Sequence, residues 1–228
     1  MPAYLYCLVT SAEPPPALSG VDGQTVRAVK AGRLTAWVSD AVRPLPPTAD
    51  RARAHDAVVR RALAVETPIP ARFGQLFADD AALAQSVDAR GAALSQMLER
   101  VRDSVEMTIR IPVPAEETGD PASASGQGAG REYLERLQAR ARHAEGVRER
   151  AEFLQRRIAL AARAFIRESS PASYAPPAHI VTLSHLIAHD AVPSYRHVLQ
   201  RVLAAEAPPG ASISGPWAPY SFAELPHD

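Results

Sequence analysis

Residues 25–40 read TVRAVKAGRLTAWVSD, two alternating stretches on either side of Gly32-Arg33. Alternation marks a half-buried strand, and a two-residue connection containing glycine has the length of a hairpin turn. Residues 25–31 and 34–40 are therefore expected to form an antiparallel hairpin. A hairpin within a chain that also interleaves strands and helices points to an α+β fold and away from a doubly wound parallel sheet.

Upstream of the hairpin, AYLYCLVT at 3–10 is aromatic and β-branched and stops at Ser11-Ala-Glu-Pro-Pro-Pro, so it reads as a buried first strand. Downstream, after Arg43-Pro-Leu-Pro-Pro, Thr48 is placed to cap a helix carrying Ala54, Val58, Ala62 and Val65, which Pro68 ends. A short strand is expected over 67–73. Asp79 then caps a second helix with Leu83, Val87, Leu94, Leu98 and Val101 on its buried side and Gly91 as a weak point. Residues 105–113 form a strand in which Glu106, Thr108 and Arg110 alternate with apolar residues. This is close to a ferredoxin-like plan, with an altered order, over 1–113.

Residues 114–130, PAEETGDPASASGQGAG, lack apolar periodicity and read as a flexible Gly/Ser/Ala/Pro linker. Gly126, Gly128 and Gly130 lack the spacing, the preceding strand and the following Gly-Lys-Ser/Thr of a phosphate loop. From Arg131 to about Glu168, Tyr133, Leu137, Ala141, Ala144, Val147, Ala151, Leu154, Ile158, Ala161 and Phe165 recur in three- and four-residue steps. That is the seam of a coiled-coil-like helix, roughly 55 Å long at 1.5 Å per residue, expected to fold back as a helical hairpin or project as an arm. A strand over 179–187, a helix opened by Pro193 and an extended segment over 212–222 complete a second small α+β domain within 131–228.

Twenty-five basic residues, of which only Lys30 is a lysine, balance 25 acidic ones. The arginines are interspersed with acids in helical stretches, as on solvated faces, so a concentrated nucleic-acid footprint is not expected. The lone Cys7 excludes an intramolecular disulfide or a multi-cysteine zinc site and reads as a small buried hydrophobe. With no signal-peptide pattern and no run of 18 apolar residues, the expectation is a cytosolic protein that does not insert in a membrane.

Candidate chemistry is sparse. His185 and His189 have metal-site spacing for a helix, with Asp190 as a further ligand, but in a strand they lie roughly 13 Å apart. His55-Asp56 suggests a general base, yet sequence neighbours do not face each other on a helix, and a buried histidine bonded to local polar groups is the competing reading. Asp79-Asp80 and Glu116-Glu117 read as a helix start and a solvated linker. Two clusters are more distinctive: Ile69-Pro-Ala-Arg-Phe-Gly-Gln-Leu-Phe77 and Gly215-Pro-Trp-Ala-Pro-Tyr-Ser-Phe222. Pro216 and Pro219 preclude regular ladder bonding, so Trp217, Tyr220 and Phe222 sit on an irregular edge, either filling the core or clasping a partner. Arg72, in an apolar setting, calls for a partner of its own.

These residues carry a resemblance. Tyr4-Leu-Tyr6, Ala36-Trp-Val-Ser-Asp40, the His55 helix leading into Arg72-Phe73-Gly74, Gly130-Arg-Glu-Tyr-Leu134, and Gly215-Pro216-Trp217-Ala-Pro219-Tyr220-Ser-Phe222 together resemble the gas vesicle protein GvpL/GvpF family over nearly the whole chain. Ala218 stands where proline is common in the family, and Gln75 where threonine is. The resemblance implies a ferredoxin-like first domain and a second α+β domain with a coiled-coil arm. It also implies a non-catalytic, cofactor-free accessory protein at the gas vesicle, whose partners are the hydrophobic major shell subunit and other accessory proteins. Arg72, Phe73, Gly74, Tyr133, Leu137 and the Gly215–Phe222 residues are then the partner-binding or structural motif. A minor structural component of the shell is the alternative, and a histidine-based metal enzyme a more distant one.

Overall fold

A computed structural model describes residues 1–41, 45–112, 138, 149–150, 152–175 and 180–223. Its strands are β1 (Ala3–Val9), β2 (Arg27–Ala31), β3 (Leu34–Asp40), β4 (Ile69–Pro70), β5 (Leu76–Phe77), β6 (Ser104–Pro112), β7 (Ile166–Ser169), β8 (Ser173–Ala175), β9 (Ile180–Ala188) and β10 (Ser212–Trp217). The helices are α1 (Ala49–Leu63), α2 (Asp80–Ala89), α3 (Gly91–Val101), α4 (152–162) and α5 (Val192–Glu206), with 3-10 turns at Val21–Gly23 and His189–Ala191. The fold is thus α+β, built on two antiparallel sheets. One has the order β2-β3-β1-β4 with β5 also on β1, the other β10-β6-β9-β7 with β8 on β9. A ferredoxin-like plan places an α-helix between the first two strands; here that connection holds only the Val21–Gly23 turn.

By compactness the chain forms two units, neither continuous in sequence. The first takes Met1–Met107, His185–Val192 and Gly215–Asp228, the second Thr108–Ser184 and Pro193–Ser214. In the first unit the sheet lies between two helical layers. Leu5, Leu8, Ala36 and Val38 pack against Leu83, Val87, Leu94 and Leu98 of α2 and α3, while Tyr4, Tyr6, Cys7 and Trp37 pack against Val58, Val59 and Ala62 of α1. Strand β1 is buried on both faces, which is why its sequence reads as a continuous apolar run. Leu5 pairs with Val38 and Cys7 with Trp37, so Tyr6 is an extra, bulged residue. The bulge places consecutive Tyr6 and Cys7 in the same α1-side cluster.

The expected caps form: Thr48 Oγ1 accepts from the Arg51 N–H at 3.3 Å and an Asp79 carboxylate oxygen from the Ala82 N–H at 2.8 Å. The second expected helix is broken at Arg90, beside the weak Gly91, into α2 and α3. Four expectations are corrected. Helix α1 stops at Leu63, before Pro68, leaving Val65 67% exposed. The strand expected over 67–73 shrinks to Ile69–Pro70, because the chain turns at Arg72–Gln75. The long helix ends at Ala162, and Ile166, β-branched and followed by Pro171, joins a sheet instead. The extended segment over 212–222 ends at Trp217, where prolines divert it into a turn. Residues 114–130 lie outside the described residues, as do Tyr133 and Leu137.

In the second unit, Leu154, Ile158 and Ala162 of α4 and Leu199 and Leu203 of α5 are buried. Arg157 makes a fork of hydrogen bonds to the Glu206 carboxylate at 2.6–3.0 Å, and Arg150 donates to the Glu206 carbonyl. Arg157 holds the Glu206 carboxyl below its ordinary range.

Candidate functional site

The first motif is a tight turn. The Gln75 N–H donates to the Arg72 carbonyl at 3.3 Å across Phe73 and Gly74, and Gly74 has φ +88°. An added Cβ there would meet nothing within 4 Å, so glycine is required by the backbone angle and not by crowding. Arg72 and Gly74 face solvent, whereas Phe73 lies half-buried, edge-on to Tyr4 and His55.

The turn is held from below by a chain of hydrogen bonds. The Gly74 N–H donates to the Tyr4 hydroxyl at 3.3 Å, and that hydroxyl lies 2.8 Å from His55 Nδ1. His55 Nε2 lies 3.0 Å from the Ala71 carbonyl, which can only accept. The donors and acceptors are consistent with one arrangement: Nε2–H to Ala71, and Tyr4 O–H to Nδ1. His55 is 3% exposed; burial lowers its pKa, outweighing the Ala71 hydrogen bond and Asp56, which raise it. Asp56 does not orient the imidazole; it accepts from Arg60 Nε at 2.7 Å. His55 is therefore the buried, locally bonded histidine and not a free general base.

Tyr6 forms a second anchor. Its hydroxyl meets Ser39 Oγ at 2.9 Å and accepts from the Val21 N–H at 2.7 Å. Burial pushes the Tyr4 and Tyr6 phenols above their ordinary range.

The second motif docks on the same unit. Gly215, with φ +114°, lies so close to β6 that a Cβ would fall 2.7 Å from the Glu106 carbonyl oxygen and 2.9 Å from Met107 Sδ. Pro216 is half-buried, and Trp217, also half-buried, is covered by the Arg60 guanidinium 5.2 Å from its ring centroid. Ala218 and Pro219 are buried. The Phe222 and Ala223 N–H groups both donate to the Pro219 carbonyl, closing a turn that drops Phe222 into the α2/α3-side core. Tyr220, half-buried, packs against the α1-side cluster that also receives Phe73, so the fold brings together residues from both motifs.

Sequence reasoning missed the group that fixes this turn. Glu106, only 5% exposed, accepts from the Ser221 hydroxyl at 2.7 Å and the Ser221 N–H at 2.8 Å. In the sequence Glu106 only alternates with apolar residues along the strand, and nothing there shows that β6 is buried along most of its length.

The remaining candidates do not assemble into a reactive site. His185 is buried in β9 and burial lowers its pKa to about 4, while His189 lies beyond the strand in a 3-10 turn. Among the described residues, no three His, Cys, Asp or Glu side chains are grouped to hold a metal. Burial raises the Cys7 thiol far above its ordinary value, keeping it protonated. A cleft of about 420 Å³ beside the hairpin turn is lined by Gly32, Arg33, Asp88 and Ser95, among others, with no histidine or cysteine. No helix among the described residues is long and apolar enough to cross a membrane.

Comparison with known proteins agrees with the two motifs. The profile of the family described as gas vesicle synthesis protein GvpL/GvpF matches residues 2–224. Gas vesicle protein L of Streptomyces sp. (strain CB03234) is 28% identical, over 92% of this chain and 88% of its own length. Gas vesicle protein F of the same strain is 27% identical, over 98% of this chain and all of its own length. Among solved structures, GvpF from Anabaena sp. PCC7120 superposes with a TM-score of 0.80 at 17% identity, covering 99% of this chain and 97% of that one. GvpF from Microcystis aeruginosa gives 0.78 at 16% identity, covering 98% and 99%. The fold is theirs, and the match across both motifs places the chain in the GvpL/GvpF family of gas vesicle synthesis proteins.

Proposed function

We propose that this protein is a non-catalytic accessory factor of gas vesicle assembly that binds the hydrophobic major shell subunit, as a chaperone or in nucleation, alongside other accessory proteins. Family membership over residues 2–224 is the observation that carries the reading. The physics gives it a rationale. A wall that keeps water out of a gas space needs a water-repelling face, so its unassembled subunits present apolar surface prone to aggregation. A protein that covers this surface until subunits add to the wall removes that hazard.

The exposed Arg72–Gly74 turn and the half-buried Trp217 and Tyr220 form the contact region of this reading. Both motifs lie on one unit, on loops carried by its sheet and helices, where recognition residues are commonly placed. Co-expression with the shell subunit tests it. The expected result is co-purification and suppressed aggregation of the subunit, both reduced by Arg72→Ala and Trp217→Ala. Loss of neither activity in the variants would remove the motifs from the contact. Failure of the wild type to bind or protect the subunit would overturn the function. Retention on vesicles washed in denaturant would instead indicate a minor shell component.

A further inference from the structure

The imidazole of His55 holds one turn at two points. Nε2–H reaches the Ala71 carbonyl, where the turn begins, and Nδ1 reaches Gly74 at its apex through the Tyr4 hydroxyl. The arrangement uses each donor once. Tyr4 has a single hydroxyl hydrogen, which goes to Nδ1, and its oxygen takes the Gly74 N–H. A proton on Nδ1 changes the count. Nδ1–H and the Gly74 N–H then both aim at the Tyr4 oxygen, and the displaced phenolic hydrogen has only donors on the sides where its partners stood.

We propose that His55 is a proton-operated latch on the Arg72–Gly74 turn, holding the turn while Nδ1 accepts from Tyr4 and releasing it when that nitrogen is protonated. The surroundings leave His55 as the switching group. From β1 the ring meets Tyr4 edge-on and Tyr6 stacked at 5.5 Å, and from the turn it meets Phe73. Burial keeps both phenols neutral, as it does Tyr220, which lies near Tyr4 in the C-terminal turn. On its own helix, Asp56 is paired with Arg60. On the 3-10 turn packed against α1, Asp22 is paired with Arg51. Arg72 is the charged side chain on the turn itself. The lowered affinity of His55 for a proton agrees with a closed state that disfavours the imidazolium.

The latch concerns regulation of the contact region proposed above. Only its effect on partner binding rests on that reading, and the experiment below reads the latch alone. Amide hydrogen exchange is followed by NMR from pH 7.5 to 5, corrected for the intrinsic rates, at Ala71, Gly74 and Gln75, whose N–H groups bond to Tyr6, Tyr4 and Arg72. If the opened turn returns His55 to its ordinary value of about 6.5, protection falls about tenfold per pH unit below that value until the closed-state pKa is reached. Amides of α3 serve as a reference that does not follow this slope. His55→Gln abolishes the slope, and Tyr4→Phe loses Gly74 protection at every pH.

Imidazole nitrogen shifts of the wild type need no variant. They are expected to show the Nε2–H tautomer at pH 7.5 and proton uptake in step with the exchange data. A flat Gly74 profile through His55 protonation, an Nδ1–H tautomer at pH 7.5, or the same slope in His55→Gln would overturn the latch.

Discussion

Replacing Ser221 with alanine tests whether the Glu106 carboxylate fixes the C-terminal turn. The Ser221 hydroxyl gives Glu106 Oε1 a 2.7 Å bond, and the Ser221 N–H, bonded to Oε2 at 2.8 Å, survives the substitution. A hydrogen bond to a charged group contributes about 1.5–3 kcal/mol, and a buried acceptor that loses its donor also loses what had replaced its hydration. Glu106 is 5% exposed, but Ser221 lies at the surface, where water can replace part of the loss. The lower end, about 1.5 kcal/mol, is therefore expected for Ser221→Ala. Glu106→Gln keeps the shape, and the Ser221 hydroxyl can rotate to accept from the new amide, but a charged acceptor is exchanged for neutral hydrogen bonding, which costs about 1 kcal/mol. Trp37 and Trp217 both belong to the first unit, so urea denaturation followed by tryptophan fluorescence reports the relevant transition. In a double-mutant cycle, the cost of Ser221→Ala should fall by at least ~0.5 kcal/mol in the Glu106→Gln background. A single-variant cost below about 0.3 kcal/mol, or full additivity, would refute the reasoning.

Other outcomes follow from the same geometry. Gly74→Ala should cost about 1 kcal/mol from its left-handed backbone angle alone, whereas Gly215→Ala, which also collides with the Glu106 carbonyl, should cost clearly more; urea midpoints measure both. Tyr4→Phe leaves His55 Nδ1 and the Gly74 N–H without their shared partner and should lower stability by about 2 kcal/mol, seen in the same assay. His185 has a pKa of about 4 in the folded state against 6.5 ordinarily, so the unfolded chain binds the extra proton. Its contribution is complete above pH 6.5 and is lost as pH falls toward 4, about 3 kcal/mol in all. Denaturation across that range should show the loss, and His185→Gln should flatten it.

Where local chemistry decides the structure, the sequence was readable. The hairpin around Gly32-Arg33, the Thr48 and Asp79 caps and the break beside Gly91 each depend on residues within a few positions. The bulge at Tyr6 was not legible, because it is set by pairing with β3, and without it the alternation of β1 assigns Tyr6 and Cys7 to opposite faces. The burial of β6 was not legible for a related reason: two covered faces remove the usual link between polarity and exposure, so Glu106 and Thr108 are buried at 5% and 8%. In the candidate site, Arg72-Phe73-Gly74 and Trp217-Tyr220 stood out by composition. Tyr4 and His55 were also singled out, but their pairing with the turn was not, since Tyr4 lies 70 residues from Gly74, and Glu106, 115 residues from Ser221, was not singled out at all.

Phe222 and Ala223 share a hydrophobic cluster with Leu5 and Leu8, which precede them by more than 200 residues. A ribosome making this protein has therefore emitted the first strand long before the residues that seal its core emerge. Strand β1 must wait, partly open, while the intervening residues are synthesised. Premature termination just before Phe222 would produce a long polypeptide that lacks the last piece of its first unit, a product suited to clearance by proteases.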